Sequence, residues 1–257
     1  MHKVILILVD GMRPDGFLAC GHPFTREMMR RGSYTLNART VFPSVTLPCH
    51  LSLFHSVPPE RHGVLTNTYV PFPRPVKGLF EALDAAGRDC AFFYNWEPLR
   101  DIGRPGSLRY AQFIDHTSAP DTDSMLTESA LALLRRDPKD FIFLYLVETD
   151  ESGHDCGWMS EQYLERIRRA VGHIQSVTEA AGDQYTVIVT ADHGGHERTH
   201  GTELEEDMTI PMFFMGPDFP AGQELENVSI LDIAPTVAAL MDARTPPVWE
   251  GKSLLRK

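Results

Sequence analysis

Lys3-Val-Ile-Leu-Ile-Leu-Val9, followed at once by Asp10-Gly11, decides the fold. Its apolar run has no polar alternation, so both faces of the strand must be buried. Such strands belong to mostly parallel sheets with helices on both faces. Phe141-Ile-Phe-Leu-Tyr-Leu-Val147 repeats the pattern. Asp89-Cys-Ala-Phe-Phe-Tyr94, Tyr185-Thr-Val-Ile-Val-Thr190 and Ile210-Pro-Met-Phe-Phe-Met215 are further short apolar runs. Helical spacing predicts helices over 25–31, 47–55, 76–86, 124–136, 160–181 and 232–241. Strands and helices alternate, so the fold class is α/β, doubly wound around a mostly parallel sheet. The chain reads as one α/β domain over residues 1–257. Residues 96–123, rich in Pro, Gly, Asp and Arg, read as an irregular insertion or small cap over the sheet's edge.

The net charge is −11, with no long basic run to offset it. That argues against a general nucleic-acid-binding surface. The longest apolar runs are far too short to span a membrane. Met1-His2-Lys3 with the following apolar run is too short for a secretory signal. Cys20, Cys49, Cys90 and Cys156 are dispersed, without a Cys-x-x-Cys pair. A reduced, cytoplasmic protein with free thiols is the expectation.

Three of the apolar strands run into carboxylates: Val9 into Asp10, Val147 into Asp150, and Thr190 into Asp192. In a parallel sheet these ends share one edge, where such folds place ligands. His154 follows Asp150 at four residues, and His193, His196 and His200 follow Asp192. Carboxylate and imidazole at the ends of buried strands suit a divalent metal such as zinc. Separately, Thr46 precedes the 47–55 helix, with Pro48 in its first turn, and reads as an N-cap. The helix start behind it favours negative charge.

His196-Glu197-Arg198-Thr199-His200 matches His-Glu-x-x-His, the pattern of zinc metallopeptidases. That pattern needs both histidines on one helix face. Gly194-Gly195 precede it, Gly201 follows, and nothing inside is apolar, so a helix is not expected there. The peptidase reading also leaves Asp10, Asp150 and His154 without a role. A nucleophile elbow, a phosphate-binding loop and a dinucleotide fingerprint are all missing.

Val9-Asp10-Gly11, Phe42-Pro43-Ser-Val-Thr46-Leu-Pro48, Glu148-Thr-Asp150-Glu-Ser-Gly153-His154, Ala191-Asp192-His193-Gly194 and Thr199-His200-Gly201 form an ordered motif series. The series resembles that of the alkaline phosphatase superfamily, above all its nucleotide pyrophosphatase/phosphodiesterase family. Pro59-Glu60-Arg-His62-Gly63 leading to Asn67 is similar as well.

The resemblance implies a bimetal phosphoester hydrolase, a phosphodiesterase or nucleotide pyrophosphatase with a covalent phospho-threonine intermediate. It implies two divalent ions, expected to be zinc, with manganese or iron as other candidates. Asp150, His154 and His200 would hold one. Asp10, Asp192 and His193 would hold the other, with Thr46 as oxygen ligand and nucleophile. Asn67 would donate to a phosphoryl oxygen, helped by the backbone N–H near Thr46. Thr46 argues against a sulfatase, which needs a modified Cys or Ser at that position. The family's usual aromatic after the nucleophile is Leu47 here, which weakens the case for nucleotides. No Arg is assignable as a clamp for a monoester's extra charge, which favours diesters, and the expected partner is a small phosphoester. Phosphomonoesterase and phosphonate hydrolase activity stay open on the same site. Tyr94, Trp96 and Trp158 are candidate pocket walls, and Arg166, Arg168 and Arg169 read as a solvated helix face.

Overall fold

Eight strands form one sheet in the computed structural model, which describes residues 2–255. In chain order they are β1 (Lys3–Val9), β2 (Ser33–Arg39), β3 (Cys90–Tyr94), β4 (Tyr110–Phe113), β5 (Phe141–Leu146), β6 (Tyr185–Thr190), β7 (Thr209–Met215) and β8 (Gln223–Glu224). Their order across the sheet is β4-β3-β5-β1-β6-β7-β2-β8. Five of the pairings are parallel and two, both made by β7, are antiparallel. The sheet is therefore mixed but mostly parallel, as the apolar runs imply. β1 lies in the middle, parallel to β5 and β6. Every residue of β5 and β6, and all of β1 after Lys3, is buried.

The helices are α1 (Pro14–Ala19), α2 (Phe24–Arg31), α3 (Thr46–His55), α4 (Pro59–His62), α5 (Leu79–Ala85), α6 (Thr122–Arg136), α7 (Glu148–Cys156), α8 (Glu161–Ala181), α9 (Glu205–Met208) and α10 (Ile233–Leu240). α3, α5 and α10 pack together, while α1, α2, α6 and α7 gather round α8. α8 buries Tyr163, Ile167, Val171, Ile174 and Val177, the stripe its periodicity predicts. Ser160 caps it by accepting from the Tyr163 N–H. Among the described residues no helix is long and apolar enough to cross a membrane.

Two expectations need correction. The 96–123 segment is not a cap over the sheet's edge, because it contributes the edge strand β4 itself. β4 alternates half-buried and exposed residues, as an edge strand covered on one face does. Thr46 is not the N-cap of α3. Val45 takes the extended cap conformation, and Thr46 is the first helical residue. The stretch after β5 forms α7, which makes Asp150 and His154 an i,i+4 pair on one helix face.

At the C-terminal end of α3, His55 is buried against the ring of Phe72, with centroids 4.9 Å apart. Burial, then the neighbouring His62, pushes its pKa down to about 3. The unfolded chain therefore binds a proton here below pH ~6.5 that the folded chain refuses until about pH 3. Stability from this group is complete above pH ~6.5 and is lost as the pH falls toward the folded value. Between pH 7 and 4.5 the wild type should lose about 2 kcal/mol more unfolding free energy than His55→Leu. Urea titration of both proteins at the two pH values checks this.

Candidate metal centre and active site

The three central strands deliver their C-terminal ends to one edge. Asp10 follows β1 directly, Asp192 follows β6 by two residues, and α7 starts two residues beyond β5. Gly11 makes the junction possible. Its φ is +63°, and a Cβ there would lie 3.0 Å from Asp150 Oδ1 and 3.2 Å from Asp150 Cα. The backbone after β1 thus passes tightly under α7.

The structure brings six of the seven expected protein ligands together in two groups. Asp150, His154 and His200 form one, and Asp10, Asp192 and His193 the other. Within each group the ligand atoms lie within 4.8 Å of one another. The groups adjoin, since the rings of His193 and His200 stack at 3.8 Å.

The polar atoms in the groups are left in a particular state. Among the described residues Asp10 Oδ1, Asp150 Oδ1 and Asp192 Oδ2 are buried without a hydrogen-bond partner. The other oxygen of Asp10 accepts from the Tyr145 hydroxyl. The other oxygen of Asp192 accepts from the N–H of Gly11 at 3.2 Å and of His193 at 3.0 Å. Asp10 Oδ1 and Asp192 Oδ2 lie 3.3 and 3.4 Å from His193 Nε2. Asp150 Oδ2 lies 3.4 Å from His154 Nε2, and Oδ1 3.8 Å from His200 Nε2.

All three histidines are set in the same tautomer. Nδ1 of His193 faces the Gly194 carbonyl at 2.8 Å, that of His200 the Ser44 carbonyl at 2.8 Å, and that of His154 the Arg198 carbonyl at 3.0 Å. A carbonyl only accepts, so each Nδ1 carries the proton and each Nε2 presents a lone pair to its group. Burial holds His193 down to about 3 and His200 down to about 4, so both are neutral at pH 7. The carboxylates are held the other way. Burial, reinforced by Asp192 and Asp150, pushes Asp10 well above the usual range. Burial, then Asp150, pushes Asp192 up to about 8. Unpartnered carboxylate oxygens turned toward imidazole Nε2 atoms fit divalent cations.

Thr46 sits at the edge of this centre. Its hydroxyl performs no capping and lies 3.2 Å from His193 Nε2. Asn67 Oδ1 accepts from the Leu47 N–H at 2.9 Å, which leaves its Nδ2 group free to donate elsewhere. Of the backbone donors near Thr46, that of Leu47 is thus held by Asn67. An apolar crevice lined by Leu47, Leu51, Val64, Tyr69, Val70 and Phe72 opens next to it.

The candidate pocket walls serve packing. Trp158 is buried, edge-on to His154 at 5.0 Å, and donates to the Gly11 carbonyl at 3.0 Å. Tyr94 stacks on Phe92, and Trp96 packs against the core. The arginines of α8 are not simply solvated: Arg166 pairs with Glu148 at 2.5 Å, Arg168 donates to the Cys20 carbonyl at 2.7 Å, and Arg169 pairs with Asp121. The His-Glu-x-x-His stretch forms no helix. His196 and Thr199 exchange backbone hydrogen bonds of 2.9 Å across a two-residue turn. Tyr145 escaped the sequence reading. Its signal was the one hydroxyl inside the apolar run 141–147.

The sheet order and the paired ligand groups define an alkaline phosphatase-like α/β protein. Residues 4–209 match the family model described as type I phosphodiesterase / nucleotide pyrophosphatase, and the chain belongs to that family. It is similar to human ectonucleotide pyrophosphatase/phosphodiesterase family member 1, with 26% identity over 216 residues, 74% of this chain. The chain spans only 23% of that relative's length. Among solved structures it resembles an inactive form of murine ectonucleotide pyrophosphatase / phosphodiesterase 5 in complex with AMP, at a TM-score of 0.82 and 17% identity over 98% of each chain. It also resembles the phosphonate monoester hydrolase of Agrobacterium radiobacter, at a TM-score of 0.77 and 15% identity over 99% of this chain and 76% of the other. At these identities the two structures speak for the fold.

Proposed function

We propose that the chain is a metal-dependent phosphodiesterase that works through a phosphorylated Thr46. The observation that carries this reading is the pair of ligand groups whose unpartnered carboxylate oxygens face imidazole Nε2 atoms, with the Thr46 hydroxyl 3.2 Å from one of them, that of His193. Asp150, His154 and His200 would hold one divalent ion, and Asp10, Asp192, His193 and Thr46 the other, with zinc the first candidate. Bound there, such ions supply Lewis-acid stabilisation of negative charge on oxygen.

The chain's own residues do the rest. Thr46 Oγ1 forms a bond to phosphorus as the ester bond to the leaving alcohol breaks. Water then forms the next bond to phosphorus, and Thr46 leaves with its oxygen. Asn67 Nδ2 donates to a non-bridging oxygen, its orientation fixed by Leu47 N–H on the other amide atom. Arg13 reaches the ligand loop, but it is engaged by Asp15 and the Gly195 carbonyl. That supports a diester over a monoester, which brings an extra charge. The murine structure with AMP makes a dinucleotide a suitable first substrate. Four free cysteines fit a reducing, cytoplasmic setting.

The deciding measurement is kcat/KM on matched aryl mono- and diesters and a dinucleotide, with zinc and manganese compared. Preference for the monoester would move the reading to a phosphatase. Cleavage of an aryl phosphonate alone would move it to a phosphonate hydrolase. Metal-loaded protein inert across the whole panel would leave a binding protein without turnover.

Tyr145 bears on ion affinity. Its phenol holds one oxygen of Asp10, so that the other faces the site. Tyr145→Phe keeps the ring and removes the donor. Equilibrium dialysis should show affinity at the Asp10–Asp192–His193 group weakened by about 10- to 100-fold. Unchanged affinity would show that Asp10 is oriented without the phenol.

A further inference from the structure

The motif left unused by the proposed chemistry is His196-Glu197-Arg198-Thr199. His196 has a partner outside its own stretch: its Nδ1 lies 2.8 Å from Asp207 Oδ1. Asp207 is fully buried in the short helix α9. Its second carboxylate oxygen accepts from the Thr202 N–H at 2.9 Å and the Thr202 hydroxyl at 2.7 Å. Its backbone carbonyl accepts from Gly194 N–H, and that of Glu206 from Gly195 N–H, both at 2.9 Å. The loop that carries His193 and His200 is thus wrapped around one buried carboxylate. His196 is the side chain that ties the middle of the loop to it.

The turn pinned in this way reaches across to α7. The Glu197 carbonyl accepts from the Trp158 N–H at 2.8 Å, and the Arg198 carbonyl faces His154 Nδ1 at 3.0 Å. Glu197 holds a φ of +47°, an uncommon conformation for a residue other than glycine. Trp158 is packed tightly on Gly195 and Gly153, where an added Cβ would meet its ring at 2.2 and 2.6 Å. The same ring lies 5.0 Å from His154 and 5.9 Å from His200. The second group does not depend on the His196 side chain; Asp207 reaches it only through the backbone, where its carbonyl accepts from Gly194 N–H. Asp10 is held by Tyr145, Asp192 by Gly11 and its own neighbour, and His193 by Gly194.

We propose that His196 and Asp207 are positioning residues for the Asp150–His154–His200 group. Their hydrogen bond fixes the 196–199 turn, and the turn's Arg198 carbonyl holds His154 with Nε2 directed into the group. The inference rests on the two-ion reading above. It assigns the apparent metallopeptidase motif a different part, with His200 as a ligand and His196 as an anchor.

The test uses the full chain and zinc alone, followed by equilibrium dialysis and chelator competition. His196→Ala should weaken one of two ions by about 10- to 100-fold, the usual scale for removing a group behind a ligand. The other ion should hold its affinity. His196→Asn, which keeps a donor near the position of Nδ1, should recover most of the loss. The background variants locate the effect. Combined with Asp192→Asn, His196→Ala should abolish the remaining tight binding. Combined with Asp150→Asn, it should leave the remaining ion as it was. Equal loss of both ions, or loss of neither, overturns the proposal. Wild-type protein that takes up no zinc overturns the two-ion reading, and this inference with it. A further readout survives any failure of the variants to fold. In metal-free wild type, nitrogen-15 imidazole spectra should place the His154 proton on Nδ1, and a proton on Nε2 overturns the proposal.

Discussion

Thr46→Ala should abolish turnover while leaving the fold and ion uptake in place. The hydroxyl is the atom proposed to bond to phosphorus. Removing a nucleophile from an enzyme of this kind costs on the order of 10⁴-fold or more in kcat. Two structural facts keep the variant interpretable. Val45, not Thr46, caps α3, so the helix loses no side-chain cap. Asp10, Asp192 and His193 remain to hold an ion. The melting temperature and metal content should therefore match the wild type, with turnover lost. Acid-quenched wild type, mixed with a labelled diester, should carry the label on Thr46. Hydrolysis by Thr46→Ala at the wild-type rate would remove the covalent scheme and leave direct attack by water.

Removal of divalent ions should cost more stability than any single surface substitution. Three carboxylates are buried at one edge of the sheet, each with an oxygen lacking any hydrogen-bond partner. Burial with like-charged neighbours is what raises Asp10 and Asp192. Two cations would neutralise that cluster. An ion at a thousand times its Kd stabilises by about 4 kcal/mol. In a chain of 257 residues that is roughly 10 °C in melting temperature. A chelator should lower the Tm by at least that amount, and zinc should restore it. Asp192→Asn should act in the opposite direction on metal-free protein. It replaces a carboxyl whose ionisation burial opposes with a neutral amide, and the amide oxygen can keep the bonds from Gly11 and His193. The variant should melt above the wild type without metal and below it with metal. A calorimetric scan of both proteins in both states measures this. A Tm of the wild type indifferent to chelator would count against any bound ion at this site.

Much of the fold could be read from residues whose burial depends on the local run alone. β1, β5 and β6 are apolar throughout, and such strands need no knowledge of their neighbours. β2 and β4 were harder. Ser33-Tyr-Thr-Leu-Asn-Ala-Arg39 and Tyr110-Ala-Gln-Phe113 are short and partly polar, and only pairing with β7 and β3 makes them strands. The residues around the site divide in the same way. Asp10, Asp192 and His193 adjoin the ends of apolar runs, so position alone singles them out. Asp150 and His154 stand out by type and spacing, although the apolar pattern does not mark their helix. What stayed hidden were the partners behind them. Tyr145, Asp207 and the carbonyls of Ser44, Gly194 and Arg198 act from far along the chain, or through backbone atoms that every residue has. No side-chain pattern marks a carbonyl that fixes a tautomer.

The start of α3 has a wider meaning. Because the extended backbone of Val45 opens the helix, the architecture asks nothing of the side chain at position 46 except that it fit. Reactivity at that position is separable from folding. A population of such chains could exchange one nucleophile for another there in a single step, without first acquiring a compensating change elsewhere. The frame itself tolerates wide change, since it is shared at 15% identity with the phosphonate monoester hydrolase of Agrobacterium radiobacter.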